Sequence, residues 1–511
     1  MFSSEQWLAN SGGDFYNGVA TTSVKFDDGD DANLSITFGS TANRRLWTFS
    51  TWFKISEIGD GALFAVYQSA EKRDVIRILN GTINFQIVKT GITQVNMNTT
   101  ALFRDPSAWY HLVVQYNSAD STETNRTKMW LNGIAQTLSS IVPIDVESHF
   151  GHSQYHTIGA RRSSGTNNDS EFDGYFADTH YVNGTALDYT SFAEFKNGVL
   201  IPKAYSGSYG TNGFYFKYDQ VGVGTASTST IGADSSGNTN HFTSSGIVAS
   251  DCAMPDSPEN NFATLNSLYA TANTNVTLSE GNLKATVSQV AYQQTFGSIG
   301  VSSGKWYVEM KQNGTTNSSN MMGISSDNNF SILQSTSSYI GSNSGGENYA
   351  FYMHNGQKYS GGSGASYGSR TTDGQIIGVA LDLDNGKIYF SVDGTYIASG
   401  DPAGGTGFAY ENIASSTYYF GITLYTNGIP SCVWNFGQDS TFVGTETATS
   451  NADGNGYGAF HTAPPSGFLS LCTKNLPEPT IGANSDTIAS DHFESVLWTG
   501  NATDDTAIAV N

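Results

Sequence analysis

Charged side chains are scarce in this sequence, and basic ones are the scarcest. Charged residues make up 13% of the 511 residues, and 23 Lys and Arg stand against 45 Asp and Glu, for a net charge of −22. About 25% charged residues would be usual. A chain of this charge repels nucleic-acid phosphates and anionic membrane surfaces, and no basic cluster offsets the repulsion. We therefore expect no nucleic-acid partner.

Cysteines and long apolar runs are also few. Cys252, Cys432 and Cys472 are odd in number and far apart, without the spacing of a metal site, so we expect buried thiols and no disulfide framework. No run of 18 apolar residues exists, which predicts no membrane insertion. The opening residues, MFSSEQWLANSGG, lack the basic and apolar regions of a secretory signal, so we expect synthesis in a cytoplasm.

What the sequence does contain is short strands separated by turns. Asn-Gly and Asp-Gly pairs recur between stretches of β-branched and aromatic residues, and no sustained helical period is present. This pattern predicts an all-β protein. In the clearest stretch, Ile376 to Ile397, a two-residue type I′ turn is predicted at Asn385-Gly386, and a second reversal of the chain is predicted at Asp393-Gly394.

Composition divides the chain into five parts. Residues 1–20 are an aromatic-studded arm suited to attachment or to packing on its own domain, 21–220 a first domain, and 221–262 a connector rich in Gly, Ser and Asn. Residues 263–440 form a second domain, and 441–511 an extended segment with one strand, Phe493 to Trp498. We expect two tandem antiparallel β-sandwiches with extended terminal segments.

Both domains resemble known families. The ordered motifs TFSTWFK, AWYHLVVQY, KMWLNG, HTIGA and FDGYFADTHYVNGTAL resemble a concanavalin A-like, laminin-G-type jelly roll. The motifs GKWYVEM, MGIS, IIGVALDLDNGKIYFSVDG, YYFGITLY and WNFGQ resemble a SPRY domain. The resemblance implies that the first domain is a jelly roll and the second a bent β-sandwich.

Two sets of residues are candidate binding sites. Tyr339, Tyr349, Tyr359 and Tyr367 lie in a Gly/Ser-rich region and predict a ligand-binding surface, because tyrosines present rigid amphipathic area; the alternative is that they pack a long loop on its own domain. Asp27, Asp28, Asp30 and Asp31 offer hard oxygen ligands for Ca²⁺, which laminin-G-type domains often bind near a sandwich rim, or they form a solvated acidic turn. No other cofactor is expected.

Catalysis is not expected. Glucanases of the concanavalin-like fold carry a Glu-x-Asp-x-x-Glu pattern on one strand, which supplies the paired carboxyls of a retaining glycosidase. The nearest match begins at Glu171 and Asp173, but Phe176 occupies the position of the second Glu. We therefore expect a non-enzymatic protein, although a carboxylate pair formed across strands is compatible with the sequence.

The whole order of segments resembles virion proteins of tailed, especially marine, bacteriophages. The resemblance rests on FSSEQWLANSGGDFYNG, KAYSGSYGTNGFYF, DSSGNTNHF, PENNFATLN and NLPEPTI flanking the two domains. It implies a structural protein exposed on the phage particle, in a tail or capsid fibre or spike that binds a host-surface glycan or protein receptor. The implied partners are other phage structural proteins and further copies of the chain, a trimer being one option. The alternatives are a capsid-decorating protein without a receptor and a glycan depolymerase.

Overall fold

The chain folds into two antiparallel β-sandwiches in tandem, which confirms the predicted fold class. The structure, a computed structural model, describes residues 15–162, 168–270, 275–288, 291–313, 320–333, 337–342, 347–425 and 431–477. Short helices connect the strands: α-helices α1 (Ser267–Ala270) and α2 (Phe330–Leu333), and 3₁₀ helices at Asp28–Asp30, Glu123–Asn125, Tyr189–Ser191, Ala249–Asp251, Asp327–Asn329, Ile397–Ser399 and Thr473–Asn475.

The first sandwich packs two sheets face to face. One has the strand order β1-β14-β3-β8-β9-β10 with β17 beside β14, and the other has the order β18-β2-β11-β4-β5-β6-β7, while β12-β13 and β15-β16 are separate hairpins. The strands are β1 Val24–Phe26, β2 Asn33–Thr37, β3 Leu46–Ile55, β4 Gly61–Ser69, β5 Lys72–Leu79, β6 Thr82–Lys89, β7 Ile92–Asn98, β8 Tyr110–Asn117, β9 Thr127–Leu131, β10 Ile134–Ala135, β11 Tyr155–Ile158, β12 Arg161–Arg162, β13 Asn168–Asp169, β14 Gly174–Asn183, β15 Ala193–Lys196, β16 Val199–Pro202, β17 Phe214–Phe216 and β18 Thr243–Ser245.

The second sandwich also has two sheets. One has the order β19-β20-β31-β22-β27-β28-β29, with β32 parallel to β22, and the other has the order β21-β30-β23-β24-β25-β26. The strands are β19 Val276–Ser279, β20 Lys284–Val287, β21 Gln293–Phe296, β22 Lys305–Asn313, β23 Met321–Ser326, β24 Asn348–Tyr352, β25 Gln357–Ser360, β26 Ser363–Ser366, β27 Ile376–Asp382, β28 Lys387–Val392, β29 Thr395–Tyr396, β30 Tyr418–Leu424, β31 Ser431–Asn435 and β32 Leu469–Ser470.

The two predicted turns of the β27–β29 region have different outcomes. The Asp393-Gly394 turn is confirmed, because Val392 pairs with Thr395 and both turn residues have positive φ. The Asn385-Gly386 turn is wrong, because Asp382 pairs with Lys387 and leaves a four-residue loop. The Asp382 carboxylate accepts hydrogen bonds from the backbone N–H and the side-chain amide of Asn385, at 3.0 and 2.9 Å, and these bonds hold the wider loop.

Residues 221–262, predicted as a connector, contribute to the core of the first sandwich. Ile231, Phe242, Ile247 and Cys252 are buried among the residues between its two sheets. The end of the predicted arm is hydrogen-bonded to the connector: the backbone N–H groups of residues 18–20 donate to the carboxylate of Glu259 at 2.7–3.1 Å. The rest of the predicted arm, residues 1–14, lies outside the described residues.

The segment after residue 440 packs on the second sandwich as far as the structure describes it. Phe460 and Phe468 are fully buried against the outer side of β22 and β27. The buried carboxylate of Glu309 accepts the backbone N–H groups of His461 and Thr462 at 2.8 and 2.7 Å. The predicted strand from Phe493 to Trp498 lies outside the described residues.

Buried polar contacts hold the connector and the second sandwich against the first sandwich. Lys54 Nζ lies 2.9 Å from Asp256 Oδ2, and it also donates to the Asn261 side chain at 2.8 Å and to the Phe262 carbonyl at 3.1 Å. Lys25 forms ion pairs with Asp251 and Glu280. Burial alone would lower the pKa of Lys25, but these two carboxylates raise it above its ordinary value. The connection is therefore a packed interface with its charges paired.

The three cysteines are buried and unpaired, as their spacing predicts. Burial raises the pKa of the Cys252 and Cys432 thiols to about 12. Thiols in this state are poor nucleophiles.

Candidate binding surface

The outer face of the β21-β30-β23-β24-β25-β26 sheet carries a set of tyrosines. Successive side chains in a strand point to opposite faces, so β24 directs Tyr349 into the core and Tyr352 outward. Tyr359 of β25 pairs with Ala350 and therefore shares the outer face with Tyr352. Tyr292 immediately precedes β21 and Tyr425 immediately follows β30, so both lie beyond the same end of the pairing, next to the paired residues Gln293 and Leu424.

Together with Tyr339, four of these tyrosines form a continuous series of rings. We call this series the tyrosine row: Tyr425, Tyr292, Tyr339, Tyr359 and Tyr352. Their successive ring centroids are 4.6, 5.1, 6.0 and 5.5 Å apart. These distances fall in the usual range for favourable aromatic pairs. All five side chains are half-buried, so the row is supported from below while part of each ring remains at the surface.

Hydrogen bonds fasten the segment that carries Tyr339 to three strands of this sheet. The Gln294 amide donates to the Ser338 carbonyl, Thr423 Oγ1 accepts from the Ile340 N–H at 2.9 Å, and Asn348 Oδ1 accepts from the Gly341 N–H at 2.5 Å. Gly341 has a φ of +96°, and a Cβ there would lie 2.7 Å from the Tyr359 Cβ. Tyr339 and Tyr359 can therefore meet only because residue 341 is a glycine.

The phenols of the row are hydrogen-bonding groups. Burial, and then the neighbouring phenols, raise the pKa of Tyr292 and Tyr339 above the ordinary value. The Tyr359 hydroxyl donates to Gln357 Oε1 at 3.2 Å, and the same oxygen accepts from Asn355 Nδ2 at 2.7 Å. The surface thus combines aromatic faces with hydroxyl and amide groups, which can bind a ligand but offer no activated nucleophile.

The four tyrosines predicted from the sequence do not form one site. Tyr339 and Tyr359 belong to the row, whereas Tyr349 is buried in the core, with its ring 5.2 Å from that of Tyr410. Tyr367 packs on Phe351 and Phe390. It lines a separate groove of about 380 Å³, beside residues 368–371 and 395–398.

The sequence prediction missed Tyr292, Tyr352 and Tyr425. Alternation would have found Tyr352, because it stands three positions after Tyr349 and must face the opposite way. No local pattern predicts the contact of Tyr292 with Tyr425, because the two come together only when β21 pairs with β30.

The four aspartates proposed as calcium ligands form a turn. Asp27 caps the Asp28–Asp30 helix by accepting the Gly29 N–H at 2.9 Å, and its other oxygen accepts the Glu280 N–H. Asp31 ends the helix in a left-handed conformation. Over the described ranges, no group of three or more His, Cys, Asp or Glu side chains is arranged to hold a metal ion. Calcium at these residues stays a prediction without geometric support.

The carboxylates nearest to the glucanase pattern are crowded by other acids. Burial, followed by the charges of Asp27, Asp28 and Glu57, raises the pKa of Asp173 well above its ordinary value. Asp173, Glu171 and Glu57 line a cavity of about 10 Å³, which is room for about one water molecule. A sugar ring does not fit there.

Comparisons with known families agree with this architecture. Residues 27–188 match the concanavalin A-like lectin/glucanase superfamily, and residues 299–439 match the SPRY domain. The chain therefore contains a concanavalin A-like domain followed by a SPRY domain, as the sequence motifs implied. A search of curated protein sequences found no match. No helix within the described residues is long and apolar enough to cross a membrane.

Several solved structures resemble parts of the chain. The SPRY domain of human HERC1 is 17% identical over 31% of this chain and 88% of that chain, with a TM-score of 0.25. A native heptameric SAP-like pentraxin from Limulus polyphemus is 15% identical over 34% of this chain and 79% of that chain, with a TM-score of 0.27. These likenesses carry no functional conclusion.

Proposed function

We propose that this protein is a non-enzymatic binding protein that contacts its ligand through the tyrosine row. The observation that carries the proposal is the row itself: five half-buried tyrosines in ring contact on the outer face of the SPRY domain. Tyrosines supply large contact area with few rotatable bonds, so little conformational entropy is lost when a ligand binds. Concanavalin A-like and SPRY domains both serve as binding modules, which supports the same class of function.

The setting that we propose is the surface of a bacteriophage particle, in a tail or capsid fibre or spike. This part rests on the sequence resemblance to phage virion proteins. In such an appendage the two sandwiches would be held by other phage structural proteins, and the row would bind a host-surface glycan or receptor. Several copies of the chain, in a trimer or another homo-oligomer, would raise avidity without any new contact.

Binding by purified full-length protein to envelope fragments from a panel of bacteria tests the role of the row. We expect Tyr339→Ala and Tyr359→Ala each to weaken binding about tenfold, because each substitution removes one to two contacts between an aromatic ring and the ligand. Tyr67→Ala is the matched control, because Tyr67 is a half-buried tyrosine of the first sandwich. Equal binding by all three variants would contradict the proposal.

Two further measurements separate the alternatives. New reducing ends after incubation with envelope polysaccharide would indicate a depolymerase. Antibody labelling of particles in the electron microscope distinguishes an appendage from a protein spread over the capsid. Label spread over the capsid, together with no envelope binding, would favour a decorating role.

A further inference from the structure

We propose that Lys54 and Asn261 become joined by an isopeptide bond, an amide between the lysine Nζ and the asparagine Cγ, with Asp256 as the general acid and base. The Lys54 Nζ lies 2.8 Å from Asn261 Oδ1 and 2.9 Å from Asp256 Oδ2. A nitrogen nucleophile, an acyl group and a proton acceptor therefore meet at one place. The tyrosine row plays no part in this reaction, so the inference stands apart from the proposed function.

The reacting groups are enclosed by aromatic side chains. Lys54 and Asp256 have side chains that are 1% and 0% exposed. Tyr175 pairs with Lys54 across β3 and β14, and the centroid of its ring lies 5.7 Å from Nζ. The Trp109 indole N–H donates to Asp256 Oδ1 at 3.1 Å. Burial penalises charge on both groups, so transfer of one proton from the ammonium to the carboxylate costs less here than in water. The resulting neutral amine is a nucleophile.

The side-chain amide of Asn261 is held with its carbonyl oxygen toward Lys54. Its Nδ2 donates to the Ser107 carbonyl at 2.8 Å, and its backbone N–H donates to Thr473 Oγ1 at 2.9 Å. Because a carbonyl only accepts hydrogen bonds, the amide NH₂ must point to Ser107 and the Oδ1 atom to the lysine. Asn261 is also partly exposed, so ammonia released from its side chain can reach solvent.

The reaction balances without a co-reactant. The neutral Nζ of Lys54 forms a bond to Cγ of Asn261, and the Asp256 carboxyl group gives its proton to Nδ2 as the Cγ–Nδ2 bond breaks. The surplus proton on Nζ passes to Asp256 and then to the departing ammonia, so one ammonium ion leaves and Asp256 is again a carboxylate. An amide replaces an amide, and no electrons are transferred. Groups held in contact in this way react as if at an effective concentration of about 10⁵–10⁸ M.

Lys25 offers a comparison within the same chain. It is also buried, but its partners are two carboxylates, those of Asp251 and Glu280. Burial alone would lower the pKa of Lys25, but these carboxylates raise it above its ordinary value, so the amine stays protonated. A carboxylate is also a poor acyl group, because its negative charge opposes attack by a nucleophile. We therefore expect Lys25 to remain unmodified in the molecules in which Lys54 has reacted.

The bond fastens β3 to the end of the connector that leads into the second sandwich. It closes a loop between residues that are 207 positions apart in the sequence. A cross-link over so long a loop restricts the unfolded chain, as a disulfide does. Molecules of full mass retain the Lys54 ammonium and its ion pair with Asp256, so the effect of replacing Lys54 on that pair is measured on those molecules.

The test is mass spectrometry of the purified full-length protein before and after prolonged incubation at neutral pH. We expect a fraction that is lighter than the sequence mass by one molecule of ammonia and that grows with time. Because an Asn-Gly pair can also lose ammonia by forming a succinimide, peptide mapping decides between the two. Proteolysis of the wild-type protein should give a branched peptide in which the segments of Lys54 and Asn261 are joined, and none that contains Lys25.

Two variants complete the test. Lys54→Arg keeps the positive charge but replaces the amine by a guanidinium that is not deprotonated, and Asn261→Ser removes the acyl group. Neither should give the branched peptide, and their thermal midpoints show whether they fold. Absence of the branched peptide from folded wild-type protein after incubation would overturn the proposal, whatever the variants do. Equal loss of ammonia by the wild type and both variants, without a branched peptide, would also overturn it and assign the loss to Asn-Gly pairs.

Discussion

Lys54→Met is the sharpest test of how the first sandwich holds the end of the connector, residues 256–262, which leads into the second sandwich. The Lys54 ammonium is buried and pairs with the Asp256 carboxylate, which is fully buried. After substitution, Asp256 keeps the Trp109 indole N–H at 3.1 Å and the Phe262 N–H at 3.3 Å, but no positive charge. Leaving one partner of a buried pair uncompensated costs about 3–5 kcal/mol. We expect a loss of that size in the free energy of unfolding.

The assay is urea unfolding followed by tryptophan fluorescence. Arg45→Met is the matched control, because Arg45 forms exposed ion pairs with Asp145 and Glu147, and exposed pairs contribute at most about 1 kcal/mol. Adding Asp256→Asn to Lys54→Met should restore part of the loss, because the unpaired charge is then removed. A loss below 1 kcal/mol for Lys54→Met, or no recovery in the double variant, would refute this account of the interface.

Three other changes test parts of the second sandwich and the acidic turn. Glu309→Gln should lower stability by about 1–3 kcal/mol in denaturant unfolding, because either orientation of the amide turns an NH₂ group toward the N–H of His461 or Thr462; unchanged stability would contradict it. Because the folded-state pKa of Asp173 is raised, its contribution to stability is largest at low pH and declines as pH rises from the ordinary 3.8 through the raised value. Asp173→Asn should flatten this part of the profile of thermal midpoint against pH, and an unaltered profile would argue against the raised pKa. Gly341→Ala should weaken binding to the bacterial envelope fragments more than Gly362→Ala, since both have positive φ but a Cβ at 362 meets only the Ser342 carbonyl at 3.3 Å; equal effects would show that Tyr359 is not displaced.

Features set by local chemistry could be predicted from the sequence. Asp393-Gly394 forms the predicted turn because both residues tolerate positive φ and the flanking strands fix the register. The same rule failed at Asn385-Gly386, where the Asp382 side chain stabilises a wider loop. A side chain that competes for the turn backbone lies outside the dipeptide pattern, so the pattern could not show it.

The connector shows a different limit. Its composition, rich in Gly, Ser and Asn, predicts exposed irregular chain, and the few apolar residues show no strand or helix period. Phe242 and Ile247 nevertheless enter the core of the first sandwich. Irregular backbone buries its apolar residues at positions that the path of the chain decides, and composition does not contain that path.

Tyr349 and Tyr352 explain why the candidate site could be predicted only in part. A count of tyrosines in the Gly/Ser-rich region treats them alike, yet one strand sends the first into the core and the second to the surface. The contact between Tyr292 and Tyr425 requires β21 and β30 to pair, although the two strands are far apart in the sequence. The tyrosine row is thus a property of the sheet. A substitution at Tyr349 should act through folding, whereas one at Tyr359 should act through binding.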